Sequence, residues 1–169
     1  MKRIVMYLAA MLVLVPASLW AQDVPKAEVF GGFSVLSIKE SGDRTTPLGW
    51  QAGVAGNLSS MFSIVGDFGG QYKDGGKIHE FLGGVRATHR VDKAAVFVHA
   101  LYGGSHFSGG GDSFTDFTMG YGGGVDVNAG DRMAIRVVQF DWLPVRSDGE
   151  WFNNNIRFGF GIVFKSGSR

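Results

Sequence analysis

Apolar and polar residues alternate along most of the chain. The alternation is clearest near the C-terminus, where the even positions carry Phe152, Ile156, Phe158, Phe160, Ile162 and Phe164. The odd positions there carry Asn153, Asn155, Arg157, Gly159, Gly161 and Lys165. Successive side chains of a strand point to opposite faces, so this pattern predicts a strand with one apolar face. It recurs over 27–37, 49–58, 61–72, 77–90, 94–105, 115–128 and 132–145, which predicts eight strands in all.

The alternation changes phase within the segment 132–145. Apolar residues occupy odd positions up to Val137 and even positions from Phe140 onward. One extra residue near Val137 and Val138, a β-bulge, would return the apolar side chains to a common face. We therefore predict a bulge at this point.

The predicted connections alternate between longer and shorter stretches. The longer ones are Ile38–Leu48, 73–76, His106–Phe114 and Arg146–Trp151, and the shorter ones are 59–60, 91–93 and 129–131. Long loops on one rim and tight turns on the other are typical of an up-and-down transmembrane barrel. The sequence thus predicts an all-β fold, an eight-stranded antiparallel up-and-down transmembrane β-barrel whose four longer connections are external.

The first 21 residues have the parts of a secretory signal peptide. Two basic residues precede an apolar run of 12 residues, Ile4–Val15, which is too short to span a bilayer as a helix. Cleavage is predicted after Ala21, with cleavage after Ala17 as the alternative. Loss of 2 of the 16 basic residues leaves 14 against 15 acidic ones, so the predicted barrel domain, 22–169, has a net charge of −1.

Composition excludes several classes of protein. The chain has 169 residues with 27 Gly and no Cys, so it holds no disulfide and no thiolate metal site. A net charge of +1 argues against a nucleic-acid-binding surface, which needs a clear basic excess. The histidines at 79, 89 and 99 are widely spaced in the sequence, so no metal and no other cofactor is predicted.

The two faces of the predicted strands carry different residues. One face is apolar and aromatic, whereas the other combines glycine with Glu28, Asp67, Glu80, Arg86, Asp126, Arg136, Asp141 and Arg157; His99 is a further candidate. Glycine leaves room for long polar side chains inside a narrow eight-stranded barrel. On the lipid face, a Lys or Arg would cost about 2 to 4 kcal/mol near the midplane. We therefore predict that the apolar face meets lipid and that the eight charged residues form a network that fills the lumen, so no solute pore is expected.

The large aromatic residues give an independent indication of a membrane. Trp50, Tyr72, Tyr102, Trp142 and Trp151 lie at strand ends on the predicted external rim. Amphipathic rings are enriched where lipid meets water, so these five residues predict an aromatic girdle.

The chain resembles the small outer-membrane β-barrel family, which includes OmpX and the barrel domain of OmpA, over residues 27–165. Within the last strand, Arg157, Gly159, Ile162 and Phe164 match the C-terminal assembly signal of that family. The resemblance implies a monomer in the cell outer membrane, surrounded by outer-membrane lipid, whose last strand is recognised by the barrel assembly machinery during insertion. The tail Lys165–Arg169 departs from the family pattern, which ends on the aromatic residue.

Three functions remain open. The favoured one is a structural or interaction-type barrel with external loops and no catalysis. The second is a soluble periplasmic barrel, similar to a lipocalin, that binds a small apolar ligand. The third is a lipid-modifying enzyme, because His106 and Ser108 resemble the catalytic pair of outer-membrane lipid A deacylases. Against it, no Glu follows Ser108 until Glu150, and Gly109–Gly111 predict a loop there.

Overall fold

The structure is a computed structural model that describes residues 24–40 and 43–167. The predicted signal peptide, 1–21, lies outside the described residues. The strands are β1 (Ala27–Glu40), β2 (Asp43–Thr45), β3 (Leu48–Asn57), β4 (Phe62–Lys73), β5 (Gly76–Val91), β6 (Ala94–Gly109), β7 (Asp112–Gly130), β8 (Met133–Trp142), β9 (Val145–Ser147), β10 (Glu150–Phe152) and β11 (Ile156–Ser166). In the described part of the chain, no helix has the length and apolar character that crossing a membrane requires.

Eight of these strands close into a barrel. Neighbours pair in the order β1, β3, β4, β5, β6, β7, β8 and β11, and every pairing is antiparallel. The barrel closes where β1 pairs with β11, from Ala27 opposite Ser166 to Ser37 opposite Ile156. The prediction of an all-β, eight-stranded antiparallel barrel is confirmed.

The two ends of the barrel differ. The first, here the terminal rim, holds the start of β1, the end of β11 and three connections of two to four residues. The second, here the loop rim, holds the connections from β1 to β3, β4 to β5, β6 to β7 and β8 to β11. The short strands β2, β9 and β10 lie within the first and the last of these loop-rim connections.

The prediction of a long loop over 106–114 is wrong. Strands β6 and β7 continue through it and leave only Gly110 and Gly111 as a turn, with φ of +64° and +98°. Backbone of this kind favours glycine, so the glycines that suggested a loop instead make a tight hairpin turn. Phe107 and Phe114 pair across the two strands, with ring centroids 5.2 Å apart.

The limits of the last strand also differ from the prediction. Phe152 belongs to β10, and the last strand begins at Ile156. At its other end β11 continues past Phe164, and the backbone N–H of Lys165 donates to the carbonyl of Arg132 at 2.9 Å. The first residues of the predicted tail are therefore part of the sheet.

The predicted bulge is confirmed. Val125 of β7 pairs with Val138, whereas the next residue, Asp126, pairs with Arg136. Val137 is therefore the extra residue. It returns the apolar side chains of β8 to the outer face, as the change of phase in the sequence requires.

The seam between β1 and β11 depends on two glycines. A Cβ atom on Gly32 would lie 2.1 Å from the carbonyl oxygen of Phe160, and one on Gly161 would lie 2.3 Å from that of Gly31. A side chain at either position would push the closing strands apart, so glycine permits the close approach.

The large apolar residues of the outer face are exposed. On β11 the exposed fractions are 46% for Phe158, 52% for Phe160 and 43% for Ile162. On β4 they are 55% for Phe62 and 56% for Ile64. These side chains do not meet in a dry core. The outward orientation on which the membrane prediction depends is the one observed.

The barrel interior nevertheless contains apolar residues. One buried cluster consists of Leu36, Ala55, Val65, Leu82, Leu101 and Leu143, and a second of Phe30, Ala134 and Val163. Phe97 of β6, a strand that carries apolar residues on both faces, is also buried. The lumen is therefore a mixed core of charged and apolar layers.

Candidate functional site: the ion-paired interior and the aromatic girdle

Arg157, on β11, lies at the centre of the interior with no exposed surface. Its Nη1 donates to Oε2 of Glu80 at 2.8 Å, and its Nη2 donates to Oδ1 of Asp67 and Oδ2 of Asp141, both at 2.7 Å. These carboxylates come from three other strands, β4, β5 and β8. One guanidinium thus joins four strands across the lumen.

Three carboxylates surround the single cation Arg157, and further side chains contact these carboxylates. Nε2 of His99 lies 2.7 Å from Oδ1 of Asp141, and the amide of Gln139 donates to Oδ2 of the same residue at 2.9 Å. The amide of Gln51 donates to Oδ2 of Asp67 at 2.7 Å. Buried charge of this density requires such partners, because an uncompensated carboxylate inside a protein is costly.

A second cluster lies nearer the terminal rim, around Glu28 of β1. Arg86 forms a short ion pair with it, Nη2 of Arg90 donates to its Oε1 at 2.8 Å, and the amide of Asn57 donates to the same oxygen at 3.0 Å. Arg90 is absent from the predicted network. It lies on the same face of β5 as Arg86, so the period of two could have identified it.

Arg136 has one carboxylate partner and two aromatic ones. It binds Asp126 with two bonds, Nε to Oδ1 at 2.8 Å and Nη2 to Oδ2 at 3.0 Å, a pairing that fits the planar guanidinium. Its Cζ lies 4.3 Å from the ring centroid of Phe30 and 4.4 Å from that of Phe97. All eight charged residues proposed for the lumen are buried there, and each has an ion-pair partner.

Little space is left between these groups. The cavity among the charged residues has a volume of about 20 Å³, enough for roughly one water molecule. Larger cavities open at the rims, one of about 770 Å³ beside Glu28 and Lys165 and one of about 240 Å³ beside Ile78 and Phe107. The cluster of Leu36, Ala55, Val65, Leu82, Leu101 and Leu143 packs within the interior as an apolar layer.

The five girdle candidates all lie on the outer surface near the loop rim, 40% to 47% exposed. Nε1 of Trp50 donates to Oη of Tyr72 at 3.2 Å, and Tyr72 contacts Nε2 of His79 at 3.2 Å. On the strands β6 to β8, Oη of Tyr121 donates to Oη of Tyr102 at 3.1 Å, and the ring centroid of Tyr121 lies 6.0 Å from that of Trp142. Trp151 packs edge-on against Phe117.

The four residues of the proposed assembly signal divide between the two faces of β11. Arg157 and Gly159 face the interior, where a Cβ on Gly159 would lie 2.4 Å from Oε1 of Gln51. Ile162 and Phe164 are 43% and 57% exposed on the outer face.

The proposed catalytic pair lies on a strand instead of in a loop. His106 and Ser108 are two residues apart on β6, and Nδ1 of His106 contacts the hydroxyl of Thr115 at 2.8 Å. Among the described residues, no carboxylate forms an ion pair with His106. Nucleophilic catalysis needs a third group that orients the histidine, and Thr115 is a weak substitute for a carboxylate.

No family model and no curated protein matches the chain. Solved structures do match. Neisserial surface protein A superposes with a TM-score of 0.70 at 10% identity, covering 83% of this chain and 97% of that one. Ail, the attachment invasion locus protein of Yersinia pestis, gives 0.56 at 15% identity, covering 82% and 96%. The N-terminal β-barrel domain of Pseudomonas aeruginosa OprF gives 0.56 at 12% identity, covering 85% and 100%.

At these sequence identities, the structural similarity supports a shared fold and nothing more. The chain has the fold of the small eight-stranded outer-membrane β-barrels, so the predicted resemblance and the transmembrane barrel architecture are confirmed. The fold and the exposed apolar belt together support the predicted location in the outer membrane.

Proposed function

We propose that this protein is a structural or interaction-type barrel of the outer membrane, with a filled lumen, external loops and no catalysis. The observation that carries the proposal is the contrast between its two faces. Phe, Ile, Val and Trp side chains are exposed all round the barrel, whereas the eight charged residues of the predicted network lie inside it. That arrangement is stable only where the surroundings are apolar.

The filled interior supports a role other than solute passage. A small barrel leaves just enough room for its own side chains, and here Arg157 and its three carboxylates occupy the centre. Transport would require these ion pairs to separate in a low-dielectric core. Contact with the surroundings is therefore assigned to the loop rim, which we expect to be external.

The soluble periplasmic alternative requires the opposite arrangement. A lipocalin-like barrel keeps its apolar residues inside around a ligand cavity and exposes polar ones. In this chain, Phe33, Phe160 and Phe164 are 68%, 52% and 57% exposed. An apolar surface of this extent in water would lead to aggregation.

Two partners follow from the proposal. Outer-membrane lipid surrounds the apolar belt, and the barrel assembly machinery recognises β11, where Arg157, Gly159, Ile162 and Phe164 fit the family signal. We expect a monomer, because the closed sheet leaves β1 and β11 paired with each other.

Cell fractionation and electrophoresis test the proposal. We expect the full-length protein in the outer-membrane fraction, extractable only with detergent, with a folded band that migrates differently before and after heating. In planar bilayers, the purified barrel should show no steady conductance. Recovery from the aqueous periplasmic fraction would support the lipocalin-like alternative, and a stable open channel would contradict the filled lumen.

The enzyme alternative has its own test. We expect His106→Ala to leave the lipid composition of the host membrane unchanged, since His106 has no carboxylate partner among the described residues. A difference in acylated lipid species between wild type and His106→Ala, measured by mass spectrometry of extracted lipid, would contradict the non-catalytic assignment.

A further inference from the structure

Two histidines face each other on the outer surface of the barrel. His79 of β5 pairs directly with His106 of β6, and His106 pairs in turn with Thr115 of β7. Directly opposed residues on antiparallel strands hold their Cβ atoms about 5 Å apart. Nε2 of His79 contacts Tyr72 and Nδ1 of His106 contacts Thr115, so Nδ1 of His79 and Nε2 of His106 are the ring nitrogens that can approach one small ligand together.

More polar groups lie one step closer to the loop rim. Lys77 of β5 pairs with Ser108 of β6, and Ser108 pairs with Ser113 of β7. These residues share the outward face with the histidines, because they lie two positions away along each strand. We refer to Lys77, His79, His106, Ser108 and Thr115 as the outer histidine patch.

The surface changes sharply on the other side of the patch. One step toward the barrel middle, Phe81 of β5 and Phe117 of β7 lie on the same outward face, 55% and 44% exposed. Two residues along a strand span about 7 Å. The outer histidine patch therefore borders the apolar belt directly.

The patch lies at the level of the aromatic girdle. Nε2 of His79 is 3.2 Å from Oη of Tyr72, which accepts a hydrogen bond from Nε1 of Trp50. Tyrosine and tryptophan in such belts mark the depth at which acyl chains end and headgroups begin. The histidines are therefore at headgroup level.

Near the loop rim, the acidic and basic residues of these strands lie on opposite faces. Glu80 is buried in the interior against Arg157, and Asp112 and Asp116 alternate along β7 with the outward residues Ser113 and Thr115. Among the described residues, no ion pair involves Lys77, His79 or His106. The outward face thus offers basic groups and hydroxyls without a neutralising carboxylate.

We propose that the outer histidine patch binds the phosphate group of a membrane lipid, whose acyl chains lie against Phe81 and Phe117. Lys77 supplies positive charge, the two imidazoles supply N–H donors, and the hydroxyls of Ser108 and Thr115 supply further donors. A phosphate offers several acceptor oxygens to such donors. The inference depends on the proposed membrane location and adds a lipid class to it.

Native mass spectrometry of the folded barrel in detergent tests the proposal. Equal amounts of phosphatidic acid, which has an exposed phosphate, and phosphatidylcholine are added. We expect wild type to retain phosphatidic acid about tenfold more than phosphatidylcholine, the ratio that one charge-assisted hydrogen bond supplies. The double variant H79Q/H106Q should lose this preference, and Lys77→Gln should reduce it.

His89 provides the matched control. It lies on the same strand and is exposed at the opposite end, near the terminal rim, so His89→Gln removes a histidine without changing the patch. Heat-dependent migration on gels checks that each variant is folded, and recovery in the outer-membrane fraction checks that it is inserted. Together they separate failure of the patch from failure of the membrane assignment.

Several results would overturn the proposal. Equal retention of the two lipids by folded wild type, an unchanged preference in H79Q/H106Q, or the same loss in His89→Gln would each do so. Displacement of phosphatidic acid by an equal concentration of inorganic phosphate would show that the acyl chains contribute nothing and that free phosphate is the ligand. Binding of Cu²⁺ that needs both histidines, without any lipid preference, would identify a two-histidine metal site instead.

Discussion

The two central arginines of the interior, Arg157 and Arg136, have different partners. Arg157 is shared by Asp67, Glu80 and Asp141, whereas Arg136 has one carboxylate, Asp126, and two aromatic rings. The surroundings of Arg157 are rich in negative charge and those of Arg136 are not. Each arginine should therefore respond differently to the same substitution.

Access to water accentuates the difference. Asp126 lines the cavity of about 770 Å³ at the terminal rim, so solvent can reach it when its partner is removed. Glu80 and Asp141 line none of the three cavities described above, and each is at most 2% exposed. We therefore expect the contribution of an ion pair to the stability of this barrel to depend on the number of its partners and on its distance from a rim.

Replacement of Arg157 should have the largest effect. Arg157→Met keeps much of the side-chain volume but leaves three buried carboxylates without their cation. We expect the free energy of unfolding to fall by about 4 to 5 kcal/mol, as for other buried pairs that lose one member. Guanidinium unfolding in detergent micelles, followed by tryptophan fluorescence, measures it. A loss no larger than that of Asp112→Ala, an exposed change at the β6–β7 turn, would contradict the central role of Arg157.

Arg136→Met should cost less. It leaves one carboxylate, and Asp126 can recover hydration from the terminal-rim cavity. The thioether can still pack against Phe30 and Phe97, which keeps part of the aromatic contact. We expect a loss of about 2 to 3 kcal/mol in the same unfolding assay. A loss equal to that of Arg157→Met would show that the number of carboxylates does not matter.

Asp126→Asn tests the same pair from its other side. The amide oxygen still accepts one bond from Arg136, and Gln139 continues to accept from Nη1 at 2.7 Å. The guanidinium also retains both aromatic rings. We therefore expect a loss of about 1 to 2 kcal/mol, the difference between a charged and a neutral acceptor. A larger loss than that of Arg136→Met would indicate that the unpaired cation costs more than the unpaired carboxylate.

The alternation of side chains between the two faces of each strand explains which parts of the interior could be predicted from the sequence. Alternation places Glu28, Arg136 and Arg157 on the inner face without any knowledge of the fold. The partners could not be predicted in this way, since Arg157 and Asp67 are 90 residues apart and meet because of the stagger of the closed sheet. Alternation also left Phe97 and Leu101 undecided, because both faces of β6 carry apolar residues there.

Glu80→Gln should have the smallest effect, although it removes a buried charge. Arg157 would keep Asp67 and Asp141 as partners. In the structure, Nη1 of Arg157 donates to Oε2 of Glu80 at 2.8 Å, and the amide oxygen of the variant can accept the same hydrogen bond. Oε1 of Gln71 is buried and has no hydrogen-bond partner among the described residues, while its Nε2 lies 3.3 Å from Oε2 of Glu80. The amide nitrogen introduced at position 80 supplies a donor next to Gln71, whose Oε1 lacks one among the described residues.

Removing one of three clustered carboxylates also lessens their mutual repulsion. For these reasons we expect the stability of Glu80→Gln to stay within about 1 kcal/mol of wild type in the unfolding assay. A loss comparable to that of Asp126→Asn would mean that Arg157 requires all three carboxylates. In that case the surplus of negative charge around Arg157 would be a requirement of its position, and the contrast with Arg136 would lie in solvent access alone.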